Sequence, residues 1–460
     1  MQKEGRAAYI CRTMALRVIE SADPLSDPAV LAVRDALRGG GLTGTAGGDE
    51  NVRQAVREVI ADVEARGDAA VIDLTARIEK VELTPQTMRV EPAALRAAHE
   101  AADAGFLALI RRVIANIREY QEAILHRDPP ALVRGGRTLG VRYTPVDRAG
   151  VFVPGGSGSG AVLISSALMT LVPATVAGVP EIAVVSPPTT DGDVHPLVLA
   201  VACELGIEEV YRVSGTAGLA ALALGTRTLR PVCKLVGPGN AFITEAKRQL
   251  FGRVGIDSLA GPSEVLIVAD KAARADWLAA DLLAQAEHDP GSAVLVTPSR
   301  ALADAVVAEI ERQLPGLDRS EGLRRGLDRY SAVLVVPDLA AACEVANEFA
   351  TEHLQIITAD DDAAMARIRN AGAIFLGPHT TVPLGDYYAG PSHVLPTGGT
   401  ARFFGPLSCN EFLKASSVLR YDAAALAADA ADTAEFATRE GLTAHANAVR
   451  VRVGERPERR

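Results

Sequence analysis

The 460-residue chain carries 57 acidic against 47 basic residues, a net charge of −10, which excludes the basic face that nucleic-acid binding needs. At this length one compact core does not suffice, so two or more domains are expected, and a composition 48% hydrophobic but 4% aromatic is ordinary for an α/β protein. Five scattered cysteines (Cys11, Cys203, Cys233, Cys343, Cys409) without a CxxC pair exclude a disulfide framework and a cysteine-ligated structural zinc. No apolar stretch nears the roughly 20 residues that span a bilayer, and the N-terminus lacks the apolar core of a signal peptide. A soluble cytoplasmic protein is expected.

Residues 1–45 form an N-terminal segment with a helix over Pro28–Leu37, followed by the Gly39-Gly40-Gly41 joint. From Glu50 to about Asp128 the chain reads helical. Val52, Val56, Val59, Ile60 and Val63 make one apolar stripe, broken at Gly67. Leu107, Ile110, Val113, Ile114 and Ile117 make another within Ala93–His126, closed by Pro129-Pro130. From about residue 140 strand–turn–helix units take over. Strands are expected at Gly150–Val153, Ile182–Val185, Glu209–Val213 and Cys233–Val236. A second set follows at Val265–Ala269, Ala293–Val296, Ala332–Val336, Leu354–Thr358 and Ile374–Leu376. Alternating strands and helices imply parallel sheets with both faces covered, here in two blocks near 145–260 and 264–380. The end of the chain, about Asp422–Val453, is Ala-rich and helical with a break at Gly441.

Two glycine-bearing turns fall at strand-to-helix junctions: Pro154–Gly160, and Gly237-Pro-Gly-Asn240 before a helix over Ala241–Leu250. Glycines let a backbone approach a ligand, and a helix N-terminus favours an anion. Neither turn fits G-x-G-x-x-G, and Asn240 is also a natural helix cap. Gly261-Pro-Ser263-Glu264 reads as a turn whose hydroxyl can face a substrate.

The run Asp281-Leu-Leu-Ala-Gln285-Ala-Glu-His288 closes a buried helix. Leu278, Leu282 and Gln285 share its apolar face, and His288 is a surface neighbour of Gln285. An amide oxygen and an imidazole so placed can share a metal ion, or simply cap a helix end. Glu352-His353 precedes a strand; the imidazole suits proton transfer from an alcohol, and the carboxylate can activate water. Five of the eight histidines (His288, His353, His379, His393, His445) lie between 288 and 445, and with Asp386 they offer N and O ligands of the kind zinc accepts.

Nine stretches in order carry a resemblance: Val153-Pro-Gly-Gly156, Val236-Gly-Pro-Gly-Asn240-Ala-Phe, Thr244-Glu-Ala-Lys-Arg-Gln249, Ala260-Gly-Pro-Ser-Glu-Val-Leu266, Asp281–His288, Glu352-His353-Leu354, Gly385-Asp386-Tyr387, His393-Val-Leu-Pro-Thr397 and Gly441-Leu-Thr-Ala-His445. Over roughly residues 50–453 the chain resembles the histidinol dehydrogenase family. The resemblance implies an α/β fold of two incomplete Rossmann-like parallel-sheet domains, with a helical N-terminal region and a small C-terminal helical tail. One such domain would combine residues 46–151 with 265–407, the other would take 152–264, and the tail would take 408–460. It implies an NAD-dependent enzyme with one zinc per subunit, oxidising L-histidinol through L-histidinal to L-histidine. Gln285, His288, Asp386 and His445 would hold the zinc. Glu352 and His353 would be catalytic. Ser263, Gln285, His288, His353, Asp386, Glu440 and His445 would contact substrate. The family also implies a domain-swapped homodimer in which the tail completes the partner's site.

At the family's NAD-contacting positions stand Phe152, Ala217 and Asn240. Asn240 is retained; Phe152 lacks the family's tyrosine hydroxyl and Ala217 lacks its glutamine amide. Three rival readings remain. These are a same-fold dehydrogenase of another amino alcohol or diol, a zinc hydrolase using Glu352, and a non-catalytic two-lobed binding protein.

Overall fold

The structure, a computed structural model, describes residues 16–40, 50–155, 163–261, 263–288 and 291–455. Part of the Pro154–Gly160 loop, Pro262, Asp289-Pro290, Gly41, Cys11 and the charged terminal tail fall outside them. The chain divides into two units, 1–123 with 147–412, and 124–146 with 413–460.

The first unit holds two all-parallel sheets. Six strands lie in the order Arg17–Glu20, Ala332–Val335, Gly291–Thr297, Ser263–Ala269, His353–Ile357 and Ala373–Leu376. The Val/Ile/Leu-rich centres of the four inner strands are buried on both faces, as helix-covered parallel strands require. Leu278, Leu282 and Val306 pack with Val265, Ile267 and Leu295 on one side. Val345, Phe349 and Val33 pack with Leu266, Val294 and Leu334 on the other. The second sheet has five strands in the order Val210–Arg212, Glu181–Ser186, Arg148–Phe152, Lys234–Val236 and Gly255–Ile256. Its strand order reverses beside Arg148–Phe152, so a crevice opens where the chain leaves Phe152 and Val236, the usual ligand position in such sheets.

All nine expected strands are present. The helical stretch from Glu50 resolves into Glu50–Arg66, Asp68–Glu79, Pro92–Ala101 and Ala104–Ile124. Gly67 breaks the first pair and Asp103, whose carboxylate accepts from Phe106 N, restarts the last.

The second unit is a three-stranded antiparallel sheet, Leu413–Tyr421, Arg137–Pro145 and Leu132–Arg134, with helices Ala423–Arg439 and Thr443–Arg450. Gly135 and Gly136 both take positive φ, as a two-residue hairpin turn demands. A side chain on Gly136 would strike the Asp422 carboxylate. Arg137 pairs with Asp429, tying sheet to helix. Gly441 at φ 77° makes the expected break between the helices.

Candidate active site

The expected catalytic pair stands at the amino-terminal edge of the six-stranded sheet. His353 opens its strand and pairs in register with Val265, while Ser263 opens the adjacent strand opposite Gly291. Glu352 and His353 are 6% and 3% exposed. The main chain of Glu264 holds both. Its N–H donates to Glu352 Oε2 at 2.9 Å, and its carbonyl accepts from His353 Nδ1 at 3.1 Å. A carbonyl only accepts, so Nδ1 carries the proton and a neutral His353 has Nε2 free. That Nε2 lies 3.6 Å from Asp386 Oδ1 and is buried without a hydrogen-bond partner among the described residues. Adjacent side chains normally diverge along a strand; the turn before His353 lets Glu352 fold back, its Oε2 3.5 Å from His353 Nδ1.

Burial works against charge throughout this cluster. It pushes Glu352 up to about 7, with His353 opposing, and Glu264 up to about 8, with the Gly398 N–H opposing. Burial would lower His353, but Glu352 and Asp386 outweigh it and hold the imidazole above its ordinary value. Burial would raise Asp386, yet His353, with His393 and His288 beyond it, keeps the carboxylate below its usual range. Ser263 offers its hydroxyl to Glu352.

Gln285 ends the helix Ala275–Ala286, 3% exposed, on the apolar face that the spacing predicts. Its amide nitrogen is buried with no partner among the described residues. Oxygen and nitrogen of an amide exchange by a flip, so this position can equally present the oxygen that a divalent cation takes. His288 follows just past the helix, exposed, within electrostatic reach of Asp386 and His353. An ionised carboxylate, an imidazole and an unsatisfied amide form a donor set that fits zinc. Among the described residues no three His, Cys, Asp or Glu side chains are gathered to hold a metal. The expected set contributes only His288 and Asp386 of those types from this unit. His445 and Glu440 lie in the second unit, both exposed, on the helix Thr443–Arg450 and at the end of Ala423–Arg439.

The crevice of the five-stranded sheet is built differently. Gly237 takes φ 120° and comes so close to the Phe152 carbonyl that a side chain there would collide with it. A buried ion pair grips this glycine. Asp257 accepts from Gly237 N at 2.8 Å, Lys247 donates to Gly237 O at 3.0 Å, and the two charges pair with each other. Asn240 caps the next helix, accepting from Phe242 N and Ile243 N. Phe152 is 4% and Ala217 1% exposed, both in the apolar cluster under the sheet. Of the three cofactor candidates, Asn240 is the one with an exposed position.

Several of these groups carry no signal in spacing. Glu264 acts through its main chain. Lys247 lies inside a motif with nothing in its spacing to set it apart, and Asp257 lies in no motif. His393, seen only as one of several histidines, bridges the Asp386 carbonyl at 2.9 Å and Ser166 Oγ at 3.3 Å.

The histidinol dehydrogenase family profile matches residues 44–453. The chain belongs to the histidinol dehydrogenase family. It is 45% identical over 451 residues to a histidinol dehydrogenase of Rhodopirellula baltica, covering 95% of this chain and 97% of that one. It is 48% identical over 407 residues to that of Geobacillus kaustophilus, covering 88% and 95%. The crystal structure of histidinol dehydrogenase from Elizabethkingia anophelis superposes with a TM-score of 0.88 at 28% identity, covering 96% of this chain and 99% of that one. The protein is therefore an enzyme, an oxidoreductase with the α/β fold of that family. Among the described residues no helix is long and apolar enough to cross a membrane.

Proposed function

We propose that this histidinol dehydrogenase homologue carries out the NAD-dependent, four-electron oxidation of L-histidinol through L-histidinal to L-histidine, the closing steps of histidine biosynthesis, in the cytoplasm. The observation that carries this reading is the fixed His353 tautomer, with a buried Glu352 beside its Nδ1 and its free Nε2 near Asp386. Zinc held by Gln285, His288 and Asp386, with His445 brought by a second copy, would anchor the substrate's amino and imidazole nitrogens, and NAD against the Asn240 turn would take up the hydrides.

His353 Nε2 accepts the alcohol proton as the carbinol hydrogen departs as hydride. The neighbouring Asp386 carboxylate stabilises the imidazolium that results. Glu352 then takes a proton from the water that adds to the aldehyde. A carboxyl poised near 7 can accept and return that proton at neutral pH. The hydrated aldehyde loses a second proton and a second hydride. Holding one substrate through both halves converts two encounters into one, with the entropic saving that this brings. Ser263 and Glu440 complete the substrate contacts in this reading.

The second unit supports a homodimer that exchanges its tail. It exposes Val133, Leu419, Phe436 and Leu442 to solvent, the sort of apolar surface that marks association. Glu440 and His445 stand in that same unit.

One assay tests the reading: L-histidinol should give two NADH per molecule. In Glu352→Gln the first NADH should persist and the second slow. Equal slowing of both halves would remove the role given to Glu352, and a single NADH would remove the four-electron reading.

A further inference from the structure

Three elements carry or flank the candidate catalytic and metal-holding residues of the first unit: the strand His353–Ile357, the helix Ala275–Ala286, and the short helix Val382–Tyr387. One side chain, Gln355, stands on the first and hydrogen-bonds both the second and the segment that leads into the third. It lies two residues along the strand from His353, so both side chains point to the same face. It is fully buried. Its amide nitrogen donates to Asp281 Oδ2 at 2.8 Å and to the Thr380 carbonyl at 3.4 Å. Asp281 is one helical turn before Gln285, on the same face. Thr380 leads into the helix that ends at Asp386 and Tyr387.

This contact is out of place in its surroundings. The face that receives it is apolar, packed with Val265, Ile267, Leu278, Leu282 and Ile357. A carboxylic side chain and an amide are buried there at a desolvation cost that two leucines would not incur. The amide orientation is also fixed. Both of its neighbours are acceptors, so only the NH2 group can face them, and its oxygen is left buried without a partner among the described residues. Apolar side chains tolerate a helix sliding over a sheet by a fraction of a turn. A 2.8 Å hydrogen bond does not.

We infer that Gln355 is a positioning residue that sets the register of the Gln285–His288 helix end and of the Asp386 helix against the Glu352–His353 strand, through Asp281 and the Thr380 carbonyl. The inference rests on the proposed zinc reading for its first readout. Such a partner behind the ligands is worth about 10- to 100-fold in metal affinity.

The test compares the wild-type protein, Asp281→Asn, and the double variant Asp281→Leu/Gln355→Met. Zn²⁺ affinity is measured by competition with a chromophoric chelator, alongside thermal melting and the kcat and KM for L-histidinol. Asn retains an acceptor oxygen, so Asp281→Asn should bind Zn²⁺ as wild type does. The double variant replaces a buried polar pair by apolar groups of similar volume, a change proteins often tolerate with no loss of stability. It should melt no lower than wild type yet bind Zn²⁺ about 10- to 100-fold more weakly, with kcat falling more than KM rises. Wild-type affinity and turnover in the double variant would overturn the inference. Should that variant fail to fold, Gln355→Asn, whose shorter amide spans only one of the two acceptors, takes its place with the same expected and overturning results. Wild-type protein that binds no Zn²⁺ would instead sink the metal reading, and kcat of the same variants would then decide the positioning role alone.

Discussion

The amino-terminal edge of the six-stranded sheet and the carboxyl-terminal crevice of the five-stranded sheet solve different problems with different materials. The first gathers acids and imidazoles, takes water away from them, and orients them through the main chain of Glu264. The second gathers glycines and uses a buried ion pair to hold one of them in shape. Where protons must move, side chains with displaced pKa values are needed. Where a ligand must lie close, backbone shape is needed, and charge serves only to fix it. The two regions should therefore fail differently when damaged.

The largest effect is expected at the first region. His353→Ala should lower kcat by about 10²- to 10⁴-fold, the range for losing a general base. NAD binding, measured by titration calorimetry, should stay within a factor of two or so, because the crevice residues do not contact this imidazole. A parallel loss of NAD affinity would mean that the two regions are coupled.

Next is Lys247→Met. It leaves Asp257 as an unpaired buried charge and Gly237 O without its donor, at a cost of about 3–5 kcal/mol. Melting temperature should drop sharply and NAD affinity should weaken, while Zn²⁺ binding in the protein that remains folded is unchanged. Replacing both members, Lys247→Met with Asp257→Leu, should restore much of the stability but not the NAD affinity. Recovery of both would reduce the pair to an ordinary structural contact.

A third effect belongs to Glu264, whose carboxyl is 1% exposed. The unfolded chain releases this proton near 4.5 while the folded chain keeps it to about 8. Its contribution therefore favours the fold at low pH and fades as pH rises from 4.5 through 8. Glu352, raised to about 7, adds a slope of the same sign. Glu264→Gln keeps the acceptor for Gly398 N and removes the titration, so melting temperature should decline less between those pH values than in wild type. An unchanged slope would show that Glu264 is ionised in the folded protein.

The contrast also explains what the sequence revealed. Parallel strands buried on both faces write themselves as unbroken apolar runs, and nine of the eleven parallel strands were legible. The strands Arg137–Pro145 and Leu413–Tyr421 were not, because the first is half-buried, the second largely exposed, and both are mixed in character. Arg17–Glu20 is a four-residue edge strand whose partner, Ala332–Val335, is over three hundred residues away. At the site, Gln285 was legible from helical spacing, and the Glu352–His353 pair from its chemistry. Roles beyond that came from resemblance, since nothing local shows that Asp386 approaches His353. Groups that act through main-chain atoms, such as Glu264, or through a partner distant in sequence, such as Gln355, leave no periodic trace.

The smallest effect sharpens the comparison most, because it separates shape from charge within one residue. Asn240 Oδ1 accepts from Phe242 N and Ile243 N at 3.1 and 3.2 Å, so Asn240→Ala should cost about 1 kcal/mol of stability. Asn240→Asp keeps that acceptor and adds a negative charge that the helix N-terminus favours, so stability should return to wild type or above it. A dinucleotide brings its own negative charge to the same place. If the turn receives the NAD pyrophosphate, Asp should bind NAD more weakly than Ala does, although it is the more stable of the two. Affinity that instead follows stability, with Asp above Ala, would confine Asn240 to capping its helix and move the cofactor elsewhere in the crevice.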